Sequence, residues 1–328
     1  MARINELKLS NIQEIRECFY NVKVWTKNEL AEKTGQSLAG ITNILHDLIE
    51  KKEIEYIGEA ESTGGRKSKQ YILNKDYYHM GMIILKRDQD QYQFIGRTID
   101  LMGTTLHEEK FVSKIGNLEE LNDIVDKMMA KDRSISLLVL SIPGICQDGK
   151  IEICDFEQLN GCHLGKALKQ RYGVDYVIEN DVNNACIGLS YTYPKSPHLA
   201  FIYQPAAVYV GCGMMIDHKL YNGFSHFAGE LRYLPFYTHS QQDHLLKENS
   251  QLLLTKQILT LCCVFNPEII GVCSDVVESV KLIDIDSEIP KHHYPQIVQI
   301  KEMNAMIWKG LYSIAIRNLK EKKGKNDE

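Results

Sequence analysis

The sequence predicts an α/β protein: a small N-terminal unit of helices closed by a β-hairpin, then a larger body in which apolar strands alternate with helices. Three observations point there. Thr26 with Glu29 three positions later forms a capping box, and Gly35 separates the helix it opens from an apolar stripe at Ile41, Ile44, Leu45, Leu48 and Ile49. Two β-type runs, EIEYIGEAE and KQYILN, flank a glycine pair at Gly64 and Gly65. Further on, the apolar runs LLVLSIPG and DYVIEN each break off at a turn or a helix head.

Ile12, Ile15 and Phe19 stand at helical spacing and predict the first helix. The second starts at Thr26, turns Leu30 and Ala31 inward and stops at Gly35. The third starts at Gln36 or Ser37 and leaves Ser37, Ala39, Thr42, Asn43 and His46 on the face opposite its stripe. Two helices joined by a short Gly-containing turn make a helix-turn-helix, whose second helix can enter the major groove of double-stranded DNA. The hairpin makes it a winged one. Thr63, Gly64 and Gly65 form the tip, where glycine permits positive φ. Arg66, Lys67 and Lys69 then lie within reach of phosphates or the minor groove. Gly40 runs against the pattern, since glycine inside a helix costs about 0.5–1 kcal/mol relative to alanine.

Bulk properties narrow the class. A chain of 328 residues has room for two or three domains, and 44% hydrophobic content supports a substantial core. No apolar run approaches the roughly 20 residues of a membrane helix, and the first residues lack a signal-peptide core, so a cytoplasmic location is expected. Nine cysteines without repeated spacing read as reduced thiols, with Cys262 and Cys263 suited to burial. A net charge of −5 excludes a general polyanion binder. Residues 1–76 are balanced at 12 basic and 12 acidic side chains, yet Ser62–Lys75 holds four basic residues and no acid. Nucleic-acid contact is therefore expected to be local.

The run ELAEKTGQSLAGITNILHDLIEKKEIEYIGEAESTGGRKSKQYILN resembles the DNA-binding segment of repressors in the ROK family (repressor, open reading frame, kinase) over about 45 contiguous residues. More patchily, LLVLSIPGICQDGKI, LKQRYGVDYVIENDVNNACIG and MMIDHKLYNGFSHFAGELRYLPF are similar to that family's strand-Pro-Gly, Glu-Asn-Asp-Ala-Asn and Ala-Gly-Glu-Ile-Gly-His stretches. The resemblance implies a winged helix-turn-helix over residues 1–76 and, over 77–328, a two-lobed sugar-kinase-like body of the actin/hexokinase, ribonuclease H-like type. It places Asp181 at the family's catalytic Asp, and Asn180 and Glu230 at sugar-contacting positions. Read from the residues alone, Asn180 and Asp181 are also a good helix N-cap pair. The last apolar face, Met303, Met306, Ile307, Leu311 and Ile314, reads as core or dimer packing.

Departures from the family matter as much. Its Asp-x-Gly-Gly-Thr phosphate loop falls on MGMIILKRD, with Ile83 at the Asp position and Leu85 and Lys86 at the glycines. Its Gly-Thr-Gly motif falls on Ala207, Val208 and Tyr209. The zinc-site His is replaced by Tyr233 with no cysteine nearby, and His239 with His244 makes a weak site without matching partners. The expectation is a DNA-binding regulator, a repressor by resemblance, without kinase activity, cofactor or structural metal. It binds a pseudo-palindromic operator as a homodimer or higher homo-oligomer, under control of a carbohydrate effector at Asn180, Asp181, Glu230 and Tyr233. A sugar kinase with an appended domain, and a body serving only as dimerisation scaffold, remain as alternatives.

Overall fold

The computed structural model describes residues 2–21, 23–60, 67–206, 210–283, 285 and 289–326. The N-terminal part begins with α1 (Ala2–Phe19), which starts earlier than its apolar spacing announces. A short strand β1 (Trp25–Thr26) leads into α2 (Lys27–Thr34). Thr26 and Glu29 form the reciprocal capping box, and Gly35 closes the helix in the left-handed conformation at φ 69°. Ser37 caps α3 (Leu38–Glu50) by accepting from the Gly40 N–H. Gly40 therefore sits in the first turn, at the capped end of the helix. Ile41, Ile44, Leu45 and Leu48 are buried as the stripe requires, whereas Ile49 at its end is exposed. Strands β2 (Ile54–Glu59) and β3 (Lys69–Leu73) pair antiparallel, and β1 joins the other edge of β3, a strand the sequence did not announce. The hairpin tip, Thr63 to Arg66, lies outside the described residues. Arg16 of α1 and Glu53 before β2 lock the unit with a buried two-pronged ion pair, both contacts 2.9 Å.

The body begins with β4 (His79–Asp88), β5 (Gln91–Ile99) and β6 (Thr105–Ser113), followed by α4 (Leu118–Lys131) and β7 (Ile135–Ile142). A hairpin of β8 (Gly144–Gln147) and β9 (Lys150–Cys154) precedes α5 (Leu164–Tyr172), β10 (Asp175–Asn180) and α6 (Asp181–Thr192). The second half holds β11 (Leu199–Gln204), β12 (Gly211–Ile216), β13 (Lys219–Leu220), α7 (His239–Glu248) and α8 (Ser250–Val264). It ends with β14 (Ile269–Ser274), β15 (Gln296–Gln299) and the long α9 (Met303–Asn326).

Two five-stranded sheets emerge, ordered β6-β5-β4-β7-β10 and β13-β12-β11-β14-β15. Their pairing senses match strand for strand: two antiparallel pairs on one side of the central strand, two parallel pairs on the other. The same topology is used twice. Alternate residues of the central strands explain the layering. Met80, Met82 and Ile84 of β4, with Leu199 and Phe201 of β11, share the inner core with α6 and α9. Ile83 and Leu85 face the outer layer of α4 and α5, while Ala200 and Ile202 face that of α7 and α8. Strands covered on both faces need near-continuous apolar runs, which is how β4 and β7 read.

Helices α6 and α9 cross at glycines. A Cβ on Gly188 would stand 2.0 Å from Met306 O, and one on Gly310 2.0 Å from Asn184 O. The far half of α9 reaches α1: the Gln13 side chain donates to Lys320 O at 3.3 Å, and the Lys320 ammonium lies over the Tyr20 ring. Among the described residues no helix is long and apolar enough to cross a membrane. Of the cysteine pair expected to be buried, Cys262 is, but Cys263 faces outward from α8.

Candidate functional sites

Helix α3 presents Ser37, Thr42, Asn43 and His46 to solvent. They are not equally available. Ser37 is committed to its cap, accepting from Gly40 N at 3.2 Å. The Thr42 hydroxyl accepts from the Lys27 ammonium at 3.0 Å and donates to Leu38 O at 2.7 Å. Expected as a free base-contacting group, Thr42 instead ties α2 to α3 and brings Lys27 onto this face. Sequence spacing gave no hint of Lys27, because it belongs to the preceding helix. His46 Nδ1 lies 3.6 Å from Glu50 Oε1. On the strand side, Lys67 and Lys69 are exposed, and the Lys69 ammonium lies 5.5 Å from the Tyr56 ring centroid. Arg66 falls outside the described residues. Ile57 is skipped in the β2–β3 pairing and Gly58 adopts φ 124°, a bulge that bends the strand leading to the wing.

The second site forms where the parallel strands end. Asn180 closes β10 and caps α6: its Oδ1 accepts from Val182 N at 2.9 Å and Asn183 N at 3.0 Å, and its Nδ2 donates to Gly144 O at 3.1 Å. This amide fixes the Pro143–Gly144 turn against the helix head, and the same residue is the one expected to touch a sugar. Asp181 begins α6, half-buried, with Oδ1 accepting from Val182 N at 2.8 Å. Burial, with Asp155 and Glu230 close enough to repel its charge, pushes the Asp181 carboxyl up to about 7. Burial also raises Glu230 and Asp155.

Glu230 is held by its neighbours in sequence. Gly229 adopts φ 95° and lies so close to β12 that a Cβ would stand 1.8 Å from Cys212 O. Only glycine fits there, which pins the loop. Turn bonds from Glu230 N to Phe227 O (3.4 Å) and from Tyr233 N to Glu230 O (3.1 Å) repeat every three residues. Phe227 and Tyr233 are brought together by this chain of turns, on either side of Glu230 in sequence. Their rings stack onward: Phe227 to Tyr233 at 5.0 Å and Tyr233 to His239 at 5.2 Å. Tyr233 is exposed and caps this ridge. His239 serves as a ring partner at the start of α7, five residues from His244. Among the described residues the one cluster with metal-compatible spacing is His46, Asp47 and Glu50 on α3, away from the family's zinc position.

Sequence reasoning overlooked several members. Glu179 accepts from Asn180 N at 2.9 Å and from Asn183 Nδ2 at 3.0 Å, and Asn183 also reaches Asn222 Oδ1 at 3.3 Å. Asp155 arrives from the β9 side, a neighbour only in three dimensions. The β4–β5 ladder runs unbroken from Met80↔Ile99 to Asp88↔Gln91, with Ile83 and Leu85 in the core. Ala207, Val208 and Tyr209 lie outside the described residues.

Residues 94–244 match the ROK family model. The xylose repressor of Bacillus subtilis (strain 168) is 23% identical over 219 residues, covering 64% of this chain and 56% of the repressor. The DNA-binding transcriptional dual regulator NagC of Escherichia coli (strain K12) is 21% identical over 217 residues, covering 63% of this chain and 52% of NagC. The chain thus spans little more than half the length of the curated relatives it matches. A solved ROK family transcriptional regulator, a homologue of the E. coli MLC protein, superposes with a TM-score of 0.73 at 14% identity, covering 97% of this chain and 99% of that one. A ROK family glucokinase from Streptomyces griseus, solved with glucose and AMPPNP, covers 72% of this chain and 98% of its own with a TM-score of 0.53 at 14% identity. At these identities the superpositions establish the α/β fold. Residues 94–244 thus carry the match to the ROK family, within a chain whose fold is shared with solved ROK proteins.

Proposed function

We propose that the protein is a DNA-binding transcriptional regulator, acting as a repressor, with a winged helix-turn-helix in residues 1–76 and a two-lobed effector and dimerisation body in 77–328. The observation that carries this is the capped α2–Gly35–α3 unit with its hairpin, which presents Asn43, His46 and Lys27 on one face and leaves Lys67 and Lys69 exposed where the hairpin enters β3. Repressors among the relatives support the same reading. Phosphoryl transfer needs a nucleotide cradle, and the closed β4–β5 hairpin speaks against one, so the body works as a sensor and not as an enzyme. No cofactor or structural metal is required.

Regulation follows from helix contacts. A sugar held at the head of α6 biases that helix. The glycine crossing passes the bias to α9, and the far half of α9 holds α1, on which α2 and α3 are mounted. In a homodimer the spacing of two recognition helices must match two half-sites, so a small shift changes operator affinity.

A test is selection of duplex DNA by the full chain, then titration of the selected site over a range of salt. Affinity should fall steeply with salt, and Lys69→Ala should flatten the log–log slope by about 0.9, one phosphate contact. Failure to select any duplex, or a Lys69→Ala slope and affinity equal to the parent's, would overturn the assignment of this surface.

A further inference from the structure

The N-terminal unit joins the body through a turn that carries charge. Asn74, just after β3, is bonded into that unit: its N–H donates to Glu53 O at 3.0 Å and its Nδ2 to Lys52 O at 2.8 Å. Its Oδ1 accepts from Asp76 N at 3.1 Å and caps the short 3-10 turn Lys75–Tyr77. Asp76 is therefore fastened to the N-terminal side. Asp132 and Ser134 belong to the body, in the loop between α4 and β7. His79, the first residue of β4, lies between the two sides, with its ring 14% exposed.

Both ring nitrogens face carboxylates. Nδ1 lies 2.5 Å from Asp132 Oδ2, and Nε2 lies 3.4 Å from Asp76 Oδ1. Ser134 Oγ is 2.7 Å from Nδ1, but its own proton goes to Asp132 Oδ1 at 2.6 Å, so it too meets the ring as an acceptor. Nδ1 therefore carries a hydrogen. Asp132 is the ionised partner: burial works against its charge, yet the bonds from Ser134 and His79 hold its carboxyl below the usual carboxylate range. The state of Nε2 then decides the second contact. An imidazolium donates from both nitrogens, whereas a neutral ring with its hydrogen on Nδ1 turns a lone pair toward Asp76. Among the described residues the charged groups paired with this ring are Asp76 and Asp132, and the neighbouring cations in sequence, Lys75 and Arg133, are exposed.

We propose that His79 is a proton-operated latch between the N-terminal unit and the body: protonated, it holds both Asp76 and Asp132, and on losing its Nε2 proton it keeps Asp132 and releases Asp76. The asymmetry lies in the two carboxylates. Asp132 is 12% exposed and also accepts from Ser134 N at 2.9 Å, whereas Asp76 is 58% exposed and can turn into water. The bonds from Leu101 N to Lys75 O (3.0 Å) and from Gln13 to Lys320 O involve no ionisable group and remain in either state. Deprotonation thus loosens one tie of the turn without detaching the unit, and acid stiffens its mounting. The latch does not depend on what either part binds, so it stands or falls separately from the DNA-binding reading.

The test is hydrogen exchange of the full chain, without DNA or sugar, at pH 5.5 and pH 8.5, on either side of the ordinary imidazole range. The amides of Asp76 and Tyr77, which bond to Asn74, report the turn. Corrected for the intrinsic exchange rate at each pH, their protection in the parent should fall about fivefold from the lower pH to the higher, the scale of one charge-assisted bond at a part-exposed site. His79→Gln, which cannot ionise, should be equally protected at both. Asp76→Asn, at an exposed position, is the second variant should His79→Gln fail to fold; its amide can accept from Nε2 or donate to it, so protection should again ignore pH. Equal protection of the parent at both pH values overturns the latch. A folded variant that keeps the parent's fall also overturns it, because the titrating group then lies elsewhere.

Discussion

Asp181 gives the clearest quantitative handle on the pocket. Burial and the nearby Asp155 and Glu230 raise its carboxyl from the ordinary 3.8 to about 7. Between those two values the folded chain holds a proton that the unfolded chain has released. Stability therefore falls as pH rises from about 4 to about 7 and levels off above. One pKa unit is worth about 1.36 kcal/mol. Between pH 5 and pH 8 the group crosses about two units below its folded value, which removes about 2.7 kcal/mol. Asp181→Asn keeps an oxygen for the Val182 N–H, now 2.8 Å away, and cannot ionise. Relative to the parent, its stability should rise by about 2.7 kcal/mol from pH 5 to pH 8. Urea denaturation at several pH values is the assay, followed by the fluorescence of Trp25 in the N-terminal part and Trp308 in α9. Parallel pH profiles of parent and variant would refute the argument, as would a variant that loses ground as pH rises.

Other perturbations test other parts of the structure. Glu53→Ala leaves Arg16 buried without its two-pronged partner and should destabilise the N-terminal unit by about 3–5 kcal/mol, seen as a lower urea midpoint by Trp25 fluorescence. Gly310→Ala forces a Cβ against Asn184 O at the α6–α9 crossing. It should cost about 1–3 kcal/mol and weaken any effect of sugar on DNA affinity, measured by the two titrations together. Purified protein given ATP and hexoses should produce no sugar phosphate; phosphorylation that disappears in Asp181→Asn would restore the kinase reading.

Much of the N-terminal unit was legible because its signals are local. A capping box, a glycine stop and an i, i+3, i+4 stripe act within a few residues of one another, and α2 and α3 appeared where Thr26, Gly35 and Ser37 placed them. The same locality explains which partners stayed hidden. Thr42 looked free because its partner Lys27 lies on another helix. The bond from Asn180 to Gly144 was hidden because it depends on the turn after β7. Asp155 was invisible for the same reason.

The sequence by itself determined the alternation of strands and helices, the lack of glycine from Ile83 to Lys86 and the basic stretch at the hairpin, since each depends on residue type at short spacing. Tertiary structure decided the rest. Only packing repeats one sheet topology around α6 and α9. Only the fit of Gly188 and Gly310 at one crossing joins the helix that carries Asp181 to the helix that holds α1. And only folding gathers Asp155, Glu179, Asp181 and Glu230 around one helix head, where their charges act through space and not along the chain.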